Sequence, residues 1–196
     1  MWDNSPETKY WGDWAEERKF TIVACFGNHE NYTAIRSLPT EEWHGGVVRK
    51  VRPHIMYLEN GELYNIGGKT LFTLGGAASI DKHLRKEGVS WWPEEIPSTS
   101  EFEHAAETLQ NANFKVDYIL THTAPCSIIE RIDRFMPRYD IVTSFLEKYV
   151  LSQVNYKAWM CGHLHLDRDI PDKNFHFLYH DIIELRSDNT IDIVND

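Results

Sequence analysis

The chain has 196 residues, of which 42% are hydrophobic and 26% are charged, and its formal net charge at pH 7 is -10. This composition is typical of a globular protein and predicts a single domain over residues 1–196. The acidic charge argues against a general nucleic-acid binder and against a protein that binds anionic membranes, because both need a basic face. It does not exclude a phosphorylated substrate, since a bound divalent metal ion reverses the local sign of the charge.

The cysteines and the hydropathy pattern indicate the compartment. Cys25, Cys126 and Cys161 are an odd number of cysteines, and each lies in or beside an apolar run. They are therefore predicted to be buried free thiols in a reducing compartment rather than a disulfide framework. No apolar stretch approaches the ~18 residues of a membrane span, and no basic-then-apolar signal segment opens the chain. We expect a cytoplasmic protein.

The predicted secondary structure begins with a helix and continues with short apolar strands. Ser5 and the proline after it predict the helix start, and the helix is expected to end near Lys19 with Tyr10, Trp11 and Trp14 on one apolar face. The remaining predicted elements are a strand at 21–26, a short helix at 32–38, alternating strands within 47–57 and 62–74, a helix at 100–113, a strand at 118–120, a helix at 141–151, a strand at 158–161, and antiparallel strands from 175 to the end.

Turn and cap signals mark several boundaries. The Asn-Gly pair at 60–61 predicts a hairpin turn, and residues 65–69 predict a second tight turn before a buried strand at 70–74. The Gly-Gly-Ala-Ala-Ser run at 75–79 predicts a close approach of backbone or ligand. Ser100 and Glu103 predict a capping box at the start of the helix that follows.

Residues 81–97 form a loop rich in charged and aromatic residues, including Arg85, Trp91 and Trp92. Exposed tryptophans beside basic residues are compatible with the rim of a substrate site. They are also compatible with a cover that packs on the core, and this second interpretation is favoured.

Histidines follow three of the predicted strands. The runs are Gly-Asn-His-Glu at 27–30, Thr-His-Thr at 121–123 and Gly-His-Leu-His at 162–165. A single histidine in such a place is usually a solvated loop residue. Three of them, each after an apolar run, favour a metal site, because strand ends are fixed points on a rigid sheet. In extended backbone, His163 and His165 would leave the same face and serve two neighbouring ions. The other histidines are interpreted as structural: His44, His54, His83, His104, His176 and His180. For His44 and His83 there is also a weak case for contact with substrate.

Taken in order, these three motifs resemble the calcineurin-like metallophosphoesterases, and the resemblance covers essentially the whole chain. It implies an α/β (α+β type) fold, a two-layered β-sandwich flanked by helices. It also implies a dinuclear centre of divalent Mn, Fe or Zn ions that hydrolyses phosphate mono- or diesters. Carried over by motif, Asn28, His122 and His163 would ligate one metal and His165 the other. The resemblance implies that His29 is the general acid toward the leaving oxygen, or stabilises the charge of the transition state.

The chain departs from the family pattern at its beginning. No Asp-x-His motif precedes Asn28, and the Gly-Asp pair at 12–13 lies on a predicted helix, so the chain is expected to start just after the second family motif, at Trp2. We expect fewer than two metals to bind tightly, because the aspartate that bridges the two ions is missing. The loss of the leading strand would also expose a sheet edge, and such an edge favours strand pairing with a partner or with a second copy of the chain.

Two further hypotheses stand beside the enzyme. One is a catalytically degenerate module that binds metal or phosphate without turnover, and the other is an interaction domain. For the enzyme, a small phosphoester or a phosphoprotein is the expected substrate, and residues 81–97 are expected to border its site.

Overall fold

Two β-sheets and a β-hairpin form the scaffold of the computed structural model, which describes residues 5–135, 139–186, 188 and 190–194. Trp2 therefore lies outside the described residues. In the first sheet, β1 is Ile22–Ala24, β2 Thr40–Trp43, β3 Gly46–Arg52 and β4 Ile55–Leu58. In the second, β5 is Leu63–Ile66, β6 Lys69–Leu74, β7 Tyr118–Thr121, β8 Ala158–Cys161, β9 Arg168–Ile170 and β10 Phe175–Phe177. The hairpin consists of β11, Ile182–Leu185, and β12, Ile191–Val194.

The strand order places parallel strands at the centre of the larger sheet. Its order is β5-β6-β7-β8-β10-β9, and β6, β7, β8 and β10 run parallel. The smaller sheet has the order β1-β4-β3-β2, with β1 at one edge and parallel to β4. The carboxyl ends of β6, β7 and β8 consequently lie side by side.

The helices and the core layers agree with the predicted sandwich. The helices are α1 Pro6–Glu16, α2 Tyr32–Arg36, α3 Thr99–Asn111, α4 Cys126–Ile132 and α5 Ile141–Phe145, which continues in π-helical turns over Leu146–Leu151. Between the sheets, Leu58 and Tyr64 pack with Leu71 and Leu120. Alternate residues of the larger sheet point to its other face, where they pack against α3, α4 and α5. The predicted fold class, a sandwich flanked by helices, is confirmed.

The prediction of free thiols is confirmed. All three cysteines are free, with Cys126 and Cys161 buried and Cys25 partly exposed. Among the described residues, none of the helices combines the length and the apolar character that a membrane crossing requires.

The aromatic residues predicted to share one face of α1 do contact one another, but that face is exposed. Ser5 caps the helix as expected, accepting a hydrogen bond from the Thr8 backbone N–H. The buried residues, however, are Gly12 and Ala15, whereas the aromatic side chains are exposed. The exposed aromatic residues are Tyr10, Trp11 and Trp14, together with Phe20 just after the helix. The buried side of α1 consists of small residues, and Gly12 lies against the guanidinium group of Arg52.

One predicted turn and one predicted helix cap also differ. The Asn-Gly pair at 60–61 does not close a hairpin, because β4 and β5 belong to different sheets and the pair carries the chain between them. Hairpins form instead between β2 and β3 and between β5 and β6, the latter at the second predicted turn. The capping box of α3 uses Ser98 and Glu101, two residues earlier than predicted.

The chain after β8 contains one pairing that alternation could not reveal. β10 pairs parallel with β8 and antiparallel with β9, whereas only antiparallel strands were expected. The terminal hairpin of β11 and β12 is antiparallel, as predicted. The short helix α4 was not predicted, because its seven residues are too few for a helical repeat to be clear.

Candidate metal centre

Parallel pairing brings two of the predicted ligands together. Thr121 at the end of β7 is in register with Cys161 at the end of β8, so His122 and the Gly-His-Leu-His run leave the same edge of the sheet. The Gly162 backbone N–H donates to the His122 carbonyl oxygen at 3.1 Å. The rings of His122 and His163 lie 4.9 Å apart, centroid to centroid.

Asn28 reaches the same place from the other sheet. The chain after β1 crosses over the end of β6, where the Gly76 backbone N–H donates to the Phe26 carbonyl oxygen at 2.8 Å. A Cβ at Gly75 would lie 2.5 Å from that oxygen, so only glycine allows this approach. The close approach predicted for residues 75–79 is thus the contact that joins the two sheets beside the site.

Asn28 and His122 face each other through their ligand atoms. Nε2 of His122 donates to Oδ1 of Asn28 at 2.9 Å, and Asn28 is buried. Burial lowers the pKa of His122 to about 3, with smaller contributions from His163, His29 and His165. Burial also lowers the pKa of His163. Both imidazoles are therefore neutral at pH 7, which is the form that binds a metal ion.

The Gly-His-Leu-His run forms a turn rather than the extended backbone that was expected. His163 and His165 have φ values of 69° and 52°, in the left-handed region that residues with a side chain rarely adopt. Leu164 donates its backbone N–H to the Gly162 carbonyl oxygen at 2.8 Å, which closes the turn. His165 is exposed and stacks on Tyr179 at 5.2 Å. Strained backbone conformations of this kind are frequent at functional sites.

A cavity of about 320 Å³ opens on these side chains. Its lining combines the predicted residues with part of the segment at 78–81. The lining residues are Asn28, His29, Ala78, Ile80, Asp81, His163, Leu164 and His165. Four of the five predicted site residues therefore line one cavity, and the fifth, His122, lies directly behind Asn28 and His163.

His29 lies exposed at this cavity, next to an ion pair. Its Nε2 atom is 3.4 Å from Nη2 of Arg85 and 3.3 Å from Nδ2 of Asn28, and both of these neighbours are donors. Arg85 also contacts Asp81 at 2.7 Å. The hydrogen bond from Arg85 lowers the pKa of Asp81, and His29 adds to this effect. The cavity thus combines a histidine with a fixed cation and a carboxylate.

Three residues of this surrounding were not predicted as functional: Arg85, Ser79 and Glu95. Arg85 and Ser79 lay in segments that the sequence had marked for a rim or a close approach. Glu95 carried no signal, because a glutamate in a charged loop is ordinarily solvated. In the structure Glu95 is 2% exposed and accepts hydrogen bonds from Ser79.

The donor set fits one metal ion. Within residues 5–135, 139–186, 188 and 190–194, no group of three or more His, Cys, Asp or Glu side chains is arranged to hold a metal. The set at this site is of a different kind, because one of its donors is the amide oxygen of Asn28. That oxygen, Nε2 of His122 and the neighbouring ring of His163 are neutral donors converging from three strand ends. Neutral nitrogen and oxygen donors suit Zn, Mn or Fe.

The other histidines lie elsewhere, and none of them lines the cavity. His104, His176 and His180 contact the carboxylates of Glu62, Asp169 and Asp167. His44 contacts the carbonyl oxygen of Asn65 through Nδ1 at 3.0 Å.

A family model described as calcineurin-like phosphoesterase matches residues 2–167. A search of curated proteins found none that matches this chain. The matched segment contains all three histidine motifs and ends just after the last of them.

Proposed function

This chain belongs to the calcineurin-like phosphoesterase family, and we propose that it is a metal-dependent phosphoesterase acting at the cavity beside Asn28 and His29. The family consists of metal-dependent phosphoester hydrolases. The observation that carries the proposal is the 2.9 Å contact between Asn28 and His122, which aims two neutral metal donors at each other beside His163.

The proposed metal ligands are Asn28, His122 and His163, and His165 is the proposed ligand of a second ion. Mn, Fe or Zn suits these donors. The chemistry that such an ion supplies is stabilisation of negative charge on the phosphoryl group and acidification of a water molecule. With three neutral donors against one, we propose that the first site binds more tightly than the second.

His29 is the proposed catalytic residue. It is exposed at the cavity, so its ring exchanges protons with solvent and reaches a bound substrate. Contacts from Asn28 and Arg85 orient the ring through Nε2. From this position it donates a proton to the leaving oxygen or stabilises the charge of the transition state.

The proposed substrate is a small phosphoester or a phosphoprotein. The net charge of -10 disfavours a long nucleic acid. Locally, Arg85, which is paired with Asp81, places a guanidinium next to His29, where a phosphoryl oxygen would accept its N–H groups. The segment at 81–97 therefore contributes to substrate recognition, and we propose the cytoplasm as the place where the enzyme works.

A second candidate function is an interaction domain. It is favoured by the exposed aromatic group on and after α1, which comes just before the edge strand β1 in the chain. Trp11 is 55% exposed and contacts Tyr10 and Trp14 edge-to-face. Exposed apolar groups of this kind and an edge strand suit a protein partner or a second copy of the chain.

Metal analysis combined with a phosphatase assay tests the proposed function. We expect the purified chain to bind Mn or Zn and to cleave a generic aryl phosphate with added Mn. We expect His29→Ala to lower kcat by about 100-fold or more while metal binding is kept, because general acid catalysis contributes that much. His104→Ala, at an exposed histidine paired with Glu62, is the matched control and should leave kcat unchanged.

Each other outcome has a clear meaning. Bound metal without turnover would support the degenerate binding module instead. A chain that binds no metal and has no activity would contradict the proposal for this chain.

A further inference from the structure

A buried carboxylate lies behind the candidate metal centre. Glu95 is 2% exposed and belongs to the charged loop, three residues after Trp92. Its Oε1 atom accepts the backbone N–H of Ser79 at 2.8 Å, and its Oε2 atom accepts the Ser79 hydroxyl at 2.5 Å. Burying a carboxylate is unfavourable, so its presence here needs an explanation.

The hydrogen bond from Ser79 to Glu95 determines what Ser79 offers to Asn28. An ionised carboxylate only accepts hydrogen bonds, so the serine hydroxyl uses its single hydrogen on Glu95. The serine oxygen is then left as an acceptor, and Nδ2 of Asn28 donates to it at 2.9 Å. The second hydrogen on Nδ2 points toward Nε2 of His29 at 3.3 Å.

The orientation of the Asn28 amide follows from these contacts. Because Nδ2 faces Ser79 and His29, Oδ1 must face the opposite way, toward His122 at 2.9 Å. An asparagine side chain binds a metal through its oxygen, never through its NH2 group. The chain Glu95–Ser79–Asn28 thus selects the orientation in which Asn28 is a ligand.

We propose that Glu95 is a positioning residue of the metal centre, which acts through Ser79 to keep the amide oxygen of Asn28 directed at the metal site. This inference rests on the proposed function for the identity of the site. Outer groups of this kind orient the ligands and tune affinity without touching the metal.

A purely structural role is the competing explanation. In that case Glu95 would stabilise the turn at Ser79, and its replacement would lower the free energy of unfolding without changing the amide of Asn28. The two explanations differ in metal affinity and in amide orientation, so those are the quantities to measure.

Glu95→Gln is the informative variant, because it keeps size and shape. The glutamine oxygen can still accept the Ser79 backbone N–H, which leaves its NH2 group facing the Ser79 hydroxyl. The serine oxygen then accepts from glutamine, and its hydrogen is free to point at Asn28. That reversal favours Oδ1 of Asn28 at Ser79 and turns the NH2 group toward His122.

Calorimetric titration of the metal-free chain with Zn or Mn measures the effect. We expect Glu95→Gln to weaken binding by about 10- to 100-fold, the range found for outer-shell groups. Glu94→Gln, at the exposed neighbouring glutamate, is the matched control and should bind as the parent chain does. Ser79→Ala removes the middle residue of the hydrogen-bonded series Glu95–Ser79–Asn28 and should also weaken metal binding.

Nuclear Overhauser contacts of the Asn28 side-chain amide give a test that needs no metal. In the parent chain the NH2 protons should lie near Ser79, and in Glu95→Gln contacts to the His122 ring should appear. Unchanged affinity together with an unchanged amide in folded Glu95→Gln would overturn the inference. If that variant does not fold, Ser79→Ala decides by the same criteria. A parent chain that binds no metal would contradict the proposed function, and the amide contacts would still decide the role of Glu95.

Discussion

His122 illustrates how one residue acquires its properties from its neighbours. In the sequence it is one of ten histidines, with an ordinary Thr-His-Thr context. In the structure, burial lowers its pKa to about 3, and Asn28 accepts its Nε2 hydrogen. The same burial keeps the ring neutral over the whole physiological pH range, and the neutral ring is the form that binds metal ions.

The first residue-scale prediction concerns the acid stability of the metal-free chain. The folded-state pKa of His122, about 3, lies below its ordinary value of 6.5, so the unfolded state binds more protons between these values. Its contribution to stability is complete above pH 6.5 and is lost as pH falls toward 3. The slope is at most about 1.4 kcal/mol per pH unit.

Chemical denaturation at pH 7 and pH 4.5, with chelator present, measures this effect. We expect His122→Gln to lose about 2 kcal/mol less than the parent chain over that interval. His104→Gln, at a histidine whose side chain is 48% exposed, should behave as the parent chain does. Equal losses in all three proteins would show that His122 does not titrate as its burial requires.

At the scale of the element, the charged loop divides into two parts with different surroundings. Trp92 is 7% exposed and packs with Phe26, Tyr32 and Ile35, so this part of the loop covers the core. Asp81 lines the cavity instead, and Arg85 contacts Asp81 and His29 there. The predicted cover is therefore confirmed for Trp92, whereas the substrate rim stays a prediction.

The prediction at this scale concerns the two adjacent tryptophans. Trp92 is buried, and its indole N–H donates to Oγ1 of Thr33 at 2.8 Å. Trp91 is more exposed, and its N–H has no hydrogen-bond partner among the described residues. We expect Trp92→Ala to lower the free energy of unfolding by about 3–5 kcal/mol, and Trp91→Ala to lower it clearly less. Urea denaturation compares them, and equal losses would contradict the packing described here.

At the scale of the whole molecule, the candidate centre lies where the two sheets meet. Asn28 follows an edge strand of the smaller sheet, whereas His122 and His163 follow central strands of the larger one. The sheets are held together there by the contact of Gly76 with Phe26 and by the network around Asn28. A metal ion bound by Asn28 from one sheet and by His122 and His163 from the other would link the two sheets.

Metal binding is therefore expected to stabilise the entire fold. An ion at 100 times its Kd should raise the free energy of unfolding by about 2.7 kcal/mol, since it binds the folded state alone. Denaturation with and without Zn measures the increase, and His163→Ala should abolish it. An increase that persists in His163→Ala would place the bound metal elsewhere on the chain.

Local patterns in the sequence determined the elements and the candidate residues. Apolar runs that end in histidine turns predicted the strands β1, β7 and β8 and the set of Asn28, His122, His163 and His165, because strand and turn preferences are local properties. The tight turn at 65–69 and the free thiols were predicted for the same reason. The roles assigned to the site residues stay predictions until they are measured.

Only the tertiary structure decided how these pieces meet. Three features depend on pairing between distant segments. Asn28 crosses to the larger sheet, β10 lies parallel to β8, and the pair at 60–61 leads from one sheet to the other. The buried chain from Glu95 to Asn28 joins residues 67 positions apart in the sequence through Ser79. No local pattern encodes such contacts, because the orientation of a buried amide is decided by the donors and acceptors that the fold brings around it.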